Sequence, residues 1–329
     1  MNLMKYKWLY FLISALVILP GVFSLAKWGL RPSIDFTGGS ILELKFGESV
    51  PRSGIPLRGT SQSREAGQVS ESAIREELEK NFETSFVKFS GENTFLIRMK
   101  PISKDETSVI KANLAERFGE MPEEVRFETV GPTLGKELLI KTLTGIVLAA
   151  GLILLYVART FKDKMYGACA ILAMFHDSLV LLGIFSLLGH FYNVEVDTLF
   201  VTAVLTILSF SVHDTVVVYD RIRESQKRFP KANFVDLVNK AVAETLVRSL
   251  NNSLTIIFML LALWLMGGQT TKWFIFALLV GTISGTYSST FTAAPLLVVW
   301  HELKRKKFVW RKFTIPKNIF LLAKQVWGW

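Results

Sequence analysis

Three places in this sequence set ionisable groups inside apolar runs: His176-Asp177, His213-Asp214 and Arg248. An isolated charge in such a setting costs about 2.5–3.5 kcal/mol on insertion scales, so each is a functional candidate by default. Carboxylates, imidazoles and a guanidinium there suit proton exchange. The rise of about 1.5 Å per residue puts Asp214 and Arg248 at one height, both about 27 Å from the outer end of their helices. Consecutive helices usually neighbour one another, so an Asp214–Arg248 pair is expected. Asp177 falls about 18 Å in from the other end of its helix, nearer the midplane. His176 and His213 either titrate near neutral pH or satisfy a buried hydrogen bond; the sequence does not separate the two.

Thr198, Thr202, Thr206, Ser209 and His213 recur at helical spacing and end one residue before Asp214. That stripe borders a hydrated path or, more in keeping with the role of Ser and Thr as glue between membrane helices, a packing seam. Gly281 and Gly285, followed by Thr286, Ser288, Ser289 and Thr290, read as close helix packing. Other chemistry fails on inspection. His301-Glu302 begins a zinc-protease pattern whose second His would fall at Arg305, and no phosphate-binding loop is present. No catalytic residue, metal site or cofactor is expected. The single cysteine, Cys169, lies in an apolar run and cannot form an intrachain disulfide.

The elements that must position these groups are long and apolar. Half of the 329 residues are hydrophobic. Six segments are long enough for a core of about 30 Å: 8–26, 138–157, 165–188, 196–218, 249–266 and 274–300. The first resembles a secretory signal, but its apolar run exceeds a signal core, so a retained anchor is expected. The net charge of +10 is unevenly spread. The N-terminus, 159–164, 220–248 and the tail after His301 carry net +2, +2, +3 and +7. Starting from a cytoplasmic N-terminus, alternation places every basic segment inside, as the positive-inside rule requires. The same clustering beside apolar runs argues against nucleic acid. The tail 301–329, with aromatics among its basic residues, suits an anionic lipid surface.

Between the first two spans, residues 27–137 read as an extracytoplasmic α+β domain of ferredoxin-like order, βαββαβ. Leu42, Leu44 and Phe46 alternate with Ile41, Glu43 and Lys45, the period of a half-buried strand. Ile74, Leu78 and Phe82 mark a helix opened by Ser70 or Ser72. Strands at 85–89 and 94–99 flank Gly91-Glu92-Asn93, a hairpin signal. A helix through Ile110, Leu114 and Phe118 and a strand through Val125, Phe127 and Thr129 complete the unit. Residues 50–70, rich in Ser, Gly, Pro and Arg, fit a flexible insertion. The expected organisation is therefore an anchor over 1–26, this domain, a helical bundle over 138–300, and a basic cytoplasmic tail.

The motifs also resemble a known family. Asp35-Phe36-Thr37-Gly38-Gly39, Gly131-Pro132-Thr133-Leu134-Gly135 and Phe175-His176-Asp177 are similar to hallmarks of the SecD/SecF family. So are the run Asp214 to Glu224, Arg248-Ser249-Leu250-Asn251-Asn252-Ser253, and Gly285-Thr286-Tyr287-Ser288-Ser289. The run from Asp214 is nearest to the SecF branch. The resemblance spans residues 8–300 in order. It implies half of a resistance-nodulation-division scaffold in the bacterial inner membrane, with both termini cytoplasmic and SecD as the other half. With the SecYEG channel, such a pair uses the proton gradient to complete export of unfolded preproteins. It further implies a proton-responsive role for Asp214 and Arg248. His213 stands where many members have Asn, and the 50–70 insertion enlarges the outer domain. A half-transporter moving lipid or small molecules is the alternative on the same scaffold.

Overall fold

The computed structural model describes residues 2–47, 69–161 and 163–313. Residues 48–68, which hold most of the expected insertion, and 314–329, which hold most of the expected tail, lie outside the described residues. Ten α-helices and four strands are formed among those described. They divide into two compact units, residues 32–145 with 195–198, and the remainder.

The first unit is built on a four-stranded antiparallel sheet, in the order β2-β3-β1-β4: β1 (Gly39–Lys45), β2 (Thr84–Gly91), β3 (Thr94–Met99) and β4 (Glu123–Val130). The two-residue period of β1 is realised, with Leu42 and Leu44 fully buried while Lys45 is exposed. Helices α3 (Glu71–Leu78) and α4 (Lys104–Phe118) supply Ile74, Leu78, Ile110, Leu114 and Phe118 to the same core. Local chemistry sets the helix ends. Ser70 accepts a hydrogen bond from the Ala73 amide, and Ser103 forms a capping box with Glu106. The β2–β3 turn puts Glu92 and Asn93 at positive φ, the backbone twist that closes a tight hairpin.

Two sequence expectations need correction. Phe82 lies past the end of α3, although it still packs against the core. Val125 does not share a face with Phe127. The β1–β4 register slips between Glu43 and Leu44, so Val125 has no cross-strand partner and is exposed. A bulge inserts an extra residue and breaks the alternation.

The Asp35–Gly39 and Gly131–Gly135 motifs meet in this unit. Ser33 caps the single-turn helix α2 (Ile34–Thr37), which ends on Gly38 at φ +73°. A Cβ on Gly38 would lie 2.8 Å from Pro132 Cα, and one on Gly135 would lie 2.8 Å from the Gly38 nitrogen. The Asp35 carboxylate accepts from the Thr198 amide (3.1 Å) and hydroxyl (3.0 Å). Positive φ costs a side-chain-bearing residue about 1–2 kcal/mol, and overpacking costs about 1–3 kcal/mol. Gly38→Ala should therefore destabilise the protein by about 2–5 kcal/mol, read as a lowered unfolding midpoint of the detergent-purified chain. An unshifted midpoint would contradict this packing.

The second unit holds the long helices: α1 (Lys7–Lys27), the continuation of α5 (Pro132–Thr160), α6 (Lys164–Tyr192), α7 (Thr198–Arg228) and α8 (Phe234–Met266). It ends with α9 (Lys272–Ser288), a π-helical turn at Ser289–Ala293 and α10 (Ala294–Phe313). Six of these helical stretches are long and apolar enough to cross a membrane. Helices α7 and α8 run well beyond the apolar segments 196–218 and 249–266, because the charged residues between them continue as helix, linked by Arg221 to Glu244 (2.6 Å). Small residues set the close approaches. A Cβ on Gly183 of α6 would lie 2.6 Å from Gly21 Cα of α1, and one on Gly281 of α9 would run into Ile207 of α7.

Candidate functional site

Two carboxylates sit inside the helical unit, each ringed by hydroxyls. Asp177 of α6 has no exposed surface. It accepts hydrogen bonds from Ser211 of α7 (2.5 Å) and from Ser284 (2.6 Å) and Ser288 (2.5 Å) of α9. His176 Nδ1 lies 3.0 Å from its Oδ1, and the other ring nitrogen lies 2.9 Å from Ser14 of α1. The periodicity explains the convergence. Ser284 and Ser288 are four apart and share a helix face, so one face of α9 delivers two donors. Hydrogen bonds to a charged group contribute about 1.5–3 kcal/mol each, so three hydroxyls more than offset the cost of placing one carboxylate in an apolar bundle.

Asp214 of α7 is 6 % exposed. Ser249 of α8 donates to its two oxygens, at 2.9 and 2.7 Å, and Ser289 of the π turn donates to Oδ2 at 2.5 Å. Ser288 and Ser289 are thus consecutive residues that hold carboxylates on two different helices. Among the described residues, no lysine or arginine forms an ion pair with either carboxylate.

Helix geometry separates the remaining candidates. The expected Asp214–Arg248 pair is not formed: Arg248 is exposed, and the next residue, Ser249, takes the place at Asp214. Successive helical residues project about 100° apart, so a correct height with the wrong azimuth leaves Arg248 outside. His213 is exposed for the same reason, one residue from buried Asp214. Thr202, Thr206, Ser209 and His213 all lie on an exposed face of α7, so the stripe does not border the two carboxylates. Asp35, Gly38 and Gly39 belong to the sheet unit and shape its turn.

Sequence reasoning missed the hydroxyls that matter most: Ser14, Ser211, Ser249 and Ser284. It read Ser288 and Ser289 as packing only. Their signal was hydroxyls set one turn apart among apolar residues: Ser249 with Ser253 on α8, Ser284 with Ser288 on α9, and Ser211 one turn before Asp214 on α7.

A family model described as the C-terminal part of the protein export membrane protein SecD/SecF matches residues 110–303, and the SecD/SecF GG motif model matches residues 23–50. The protein translocase subunit SecF of Thermobaculum terrenum is 41 % identical over 315 residues, covering 92 % of this chain and 94 % of that one. That of Anaerolinea thermophila is 37 % identical, covering 92 % of this chain and 94 % of that one. The crystal structure of SecDF from Thermus thermophilus, described as a translocon-associated membrane protein, is similar with a TM-score of 0.75 at 31 % identity. The likeness covers 92 % of this chain but 39 % of that longer chain. A structure of SecDF in a super-membrane-facing form gives a TM-score of 0.65 at 29 % identity, over 94 % of this chain and 40 % of that one. With its six apolar helices and sheet unit, this multi-pass membrane chain belongs to the SecD/SecF family of protein export membrane proteins.

Proposed function

We propose that this chain is the SecF-type subunit of the Sec export machinery and that, with SecD, it uses the proton gradient to complete translocation of unfolded preproteins through SecYEG. The observation that carries this reading is the pair of buried, hydroxyl-held carboxylates, Asp177 and Asp214, within a member of this family. The proposed site is the bacterial inner membrane, with both termini cytoplasmic. The sheet unit then lies outside, and its strand order β2-β3-β1-β4 with two helices supports a ferredoxin-like assignment.

The proposed mechanism uses Asp214, Ser249 and Arg248. In the present arrangement, hydroxyls alone hold Asp214. Rotating α8 by about 100°, one residue step, exchanges Ser249 for Arg248 at the carboxylate. The proton is carried in the hydroxyl-held arrangement, and its loss draws in the guanidinium. One charge crossing 100 mV contributes about 2.3 kcal/mol, a factor near fifty in a two-state ratio. That biases a switch but cannot drag a long chain in one stroke, so a repeated pull or a block on backsliding fits better.

The test is reconstitution with SecD and SecYEG in vesicles, following a preprotein with and without an imposed proton gradient. Gradient-dependent completion of export, with the chain co-purifying with SecD, is the expected result. Movement of lipid or a small solute with no effect on export would instead make it a half-transporter.

A further inference from the structure

We propose that Asp177 and Asp214 are the two ends of one proton relay, joined through Ser288 and Ser289 and through water held at Thr215 and Ser253. The inference rests on the proton-exchange reading above and adds the route. Ser288 and Ser289 bind the two carboxylates from adjacent positions in one helix, each at 2.5 Å. Adjacent Cα atoms are about 3.8 Å apart, so the carboxylates cannot stand more than about 14 Å from one another. A π turn begins at Ser289. Such a turn alters the direction of successive side chains relative to a regular α-helix, and π turns cluster at functional sites.

The second observation is independent. Thr215 Oγ1 and Ser253 Oγ are buried hydroxyls with no protein partner, in residues 1 % exposed. Thr215 adjoins Asp214 and sits one turn from Ser211, the Asp177 donor; Ser253 sits one turn from Ser249, the Asp214 donor. Buried polar groups are nearly always paired, with ordered water where the protein offers nothing. Water on these two hydroxyls would lie within one helical turn of Ser211 and Ser249, the residues that hold the two carboxylates.

The proton balance is simple. The acid form of Asp177 gives its proton to an adjoining oxygen, which releases the proton it held to the next, and the last is taken up by the Asp214 carboxylate, the inward direction of the gradient. Only O–H bonds break and form, and every hydroxyl ends as it began. The other titratable groups around these hydroxyls are already engaged or lie apart. His176 bridges Asp177 to Ser14 of α1, and the ring of Tyr287 on α9 stacks over it at 6.3 Å. The Tyr287 and Tyr219 hydroxyls donate to the carbonyls of Tyr10 and Ala293. Cys169 packs in the apolar core, Lys7 of α1 pairs with Glu302 of α10, and Arg248 of α8 is exposed.

The test is infrared spectroscopy of the full chain with SecD in lipid vesicles, at a pH where the acid carbonyl bands are present. Asp177→Asn and Asp214→Asn assign the bands, and a switch to deuterated water times the exchange of each. In the parent protein both bands exchange together. In the Thr215→Val, Ser253→Ala double variant, the Asp177 band should lag by about tenfold, equivalent to roughly 1.4 kcal/mol of barrier. The Asp214 band should keep its rate. Thr215→Ser with Ser253→Thr should restore the common rate, which a purely structural loss would not require. Unchanged exchange at Asp177 in the double variant, or no Asp177 acid band down to the lowest pH the fold survives, overturns the relay. Either result leaves gradient-dependent export untouched, and export insensitive to the gradient would sink the function while leaving the exchange data standing.

Discussion

Asp214→Asn is expected to insert and fold like the parent protein, yet to lose nearly all of the gradient-stimulated part of export. The substitution keeps the shape of the side chain and an oxygen that can still accept from Ser249 and Ser289. What it removes is the change of charge. Without that change the membrane potential has nothing to act on at this position, and a bias of about 2.3 kcal/mol per 100 mV disappears. Export without a gradient should continue at its former rate. The comparison is made in the reconstituted vesicles, normalised to the amount of inserted protein. Full stimulation in the variant would show that Asp214 does not carry the response.

The second large effect is on stability. Replacing Ser211, Ser284 and Ser288 together with Ala strips Asp177 of its three hydroxyl donors and leaves His176 alone beside it. At about 1.5–3 kcal/mol for each bond to the charged group, the triple variant should lose roughly 4.5–9 kcal/mol. Whole domains are stable by only about 5–15 kcal/mol, so this decides whether the bundle persists. Adding Asp177→Leu to the triple variant should recover most of the loss, because replacing both partners by apolar groups is close to neutral. Denaturant unfolding of the detergent-purified variants makes the measurement. A triple variant as stable as the parent would mean that these hydroxyls do not hold the carboxyl.

Much of the sheet unit was legible because its signals are local. The alternation through Leu42, Leu44 and Phe46, the Ser70 cap and the Glu92-Asn93 turn each follow from a few neighbouring residues. Val125 was misplaced because a bulge is set by pairing with β1, which no local pattern records. In the helical unit, height was legible and azimuth was not. Counting residues put position 248 level with Asp214, and Ser249 does meet it. Which of two adjacent residues faces inward depends on all the helices packed around α8. An apolar helix bound for lipid also lacks the polar and apolar faces that fix orientation in a soluble one. The same gap hid the exposure of the Thr202–His213 stripe and the role of Ser284. The π turn at Ser289–Ala293 has no sequence pattern that distinguishes it from ordinary small-residue packing.

The exchange of Ser249 for Arg248 at Asp214 is tested most directly by distance. Spin labels on exposed Lys227 of α7 and Lys240 of α8, in vesicles held at acid and at alkaline pH, report rotation of one helix against the other. A step of about 100° about a helix with side chains about 10–12 Å across should move the inter-label distance by about 5–8 Å. That shift should vanish in Asp214→Asn. One unchanged distance distribution at both pH values would contradict the account.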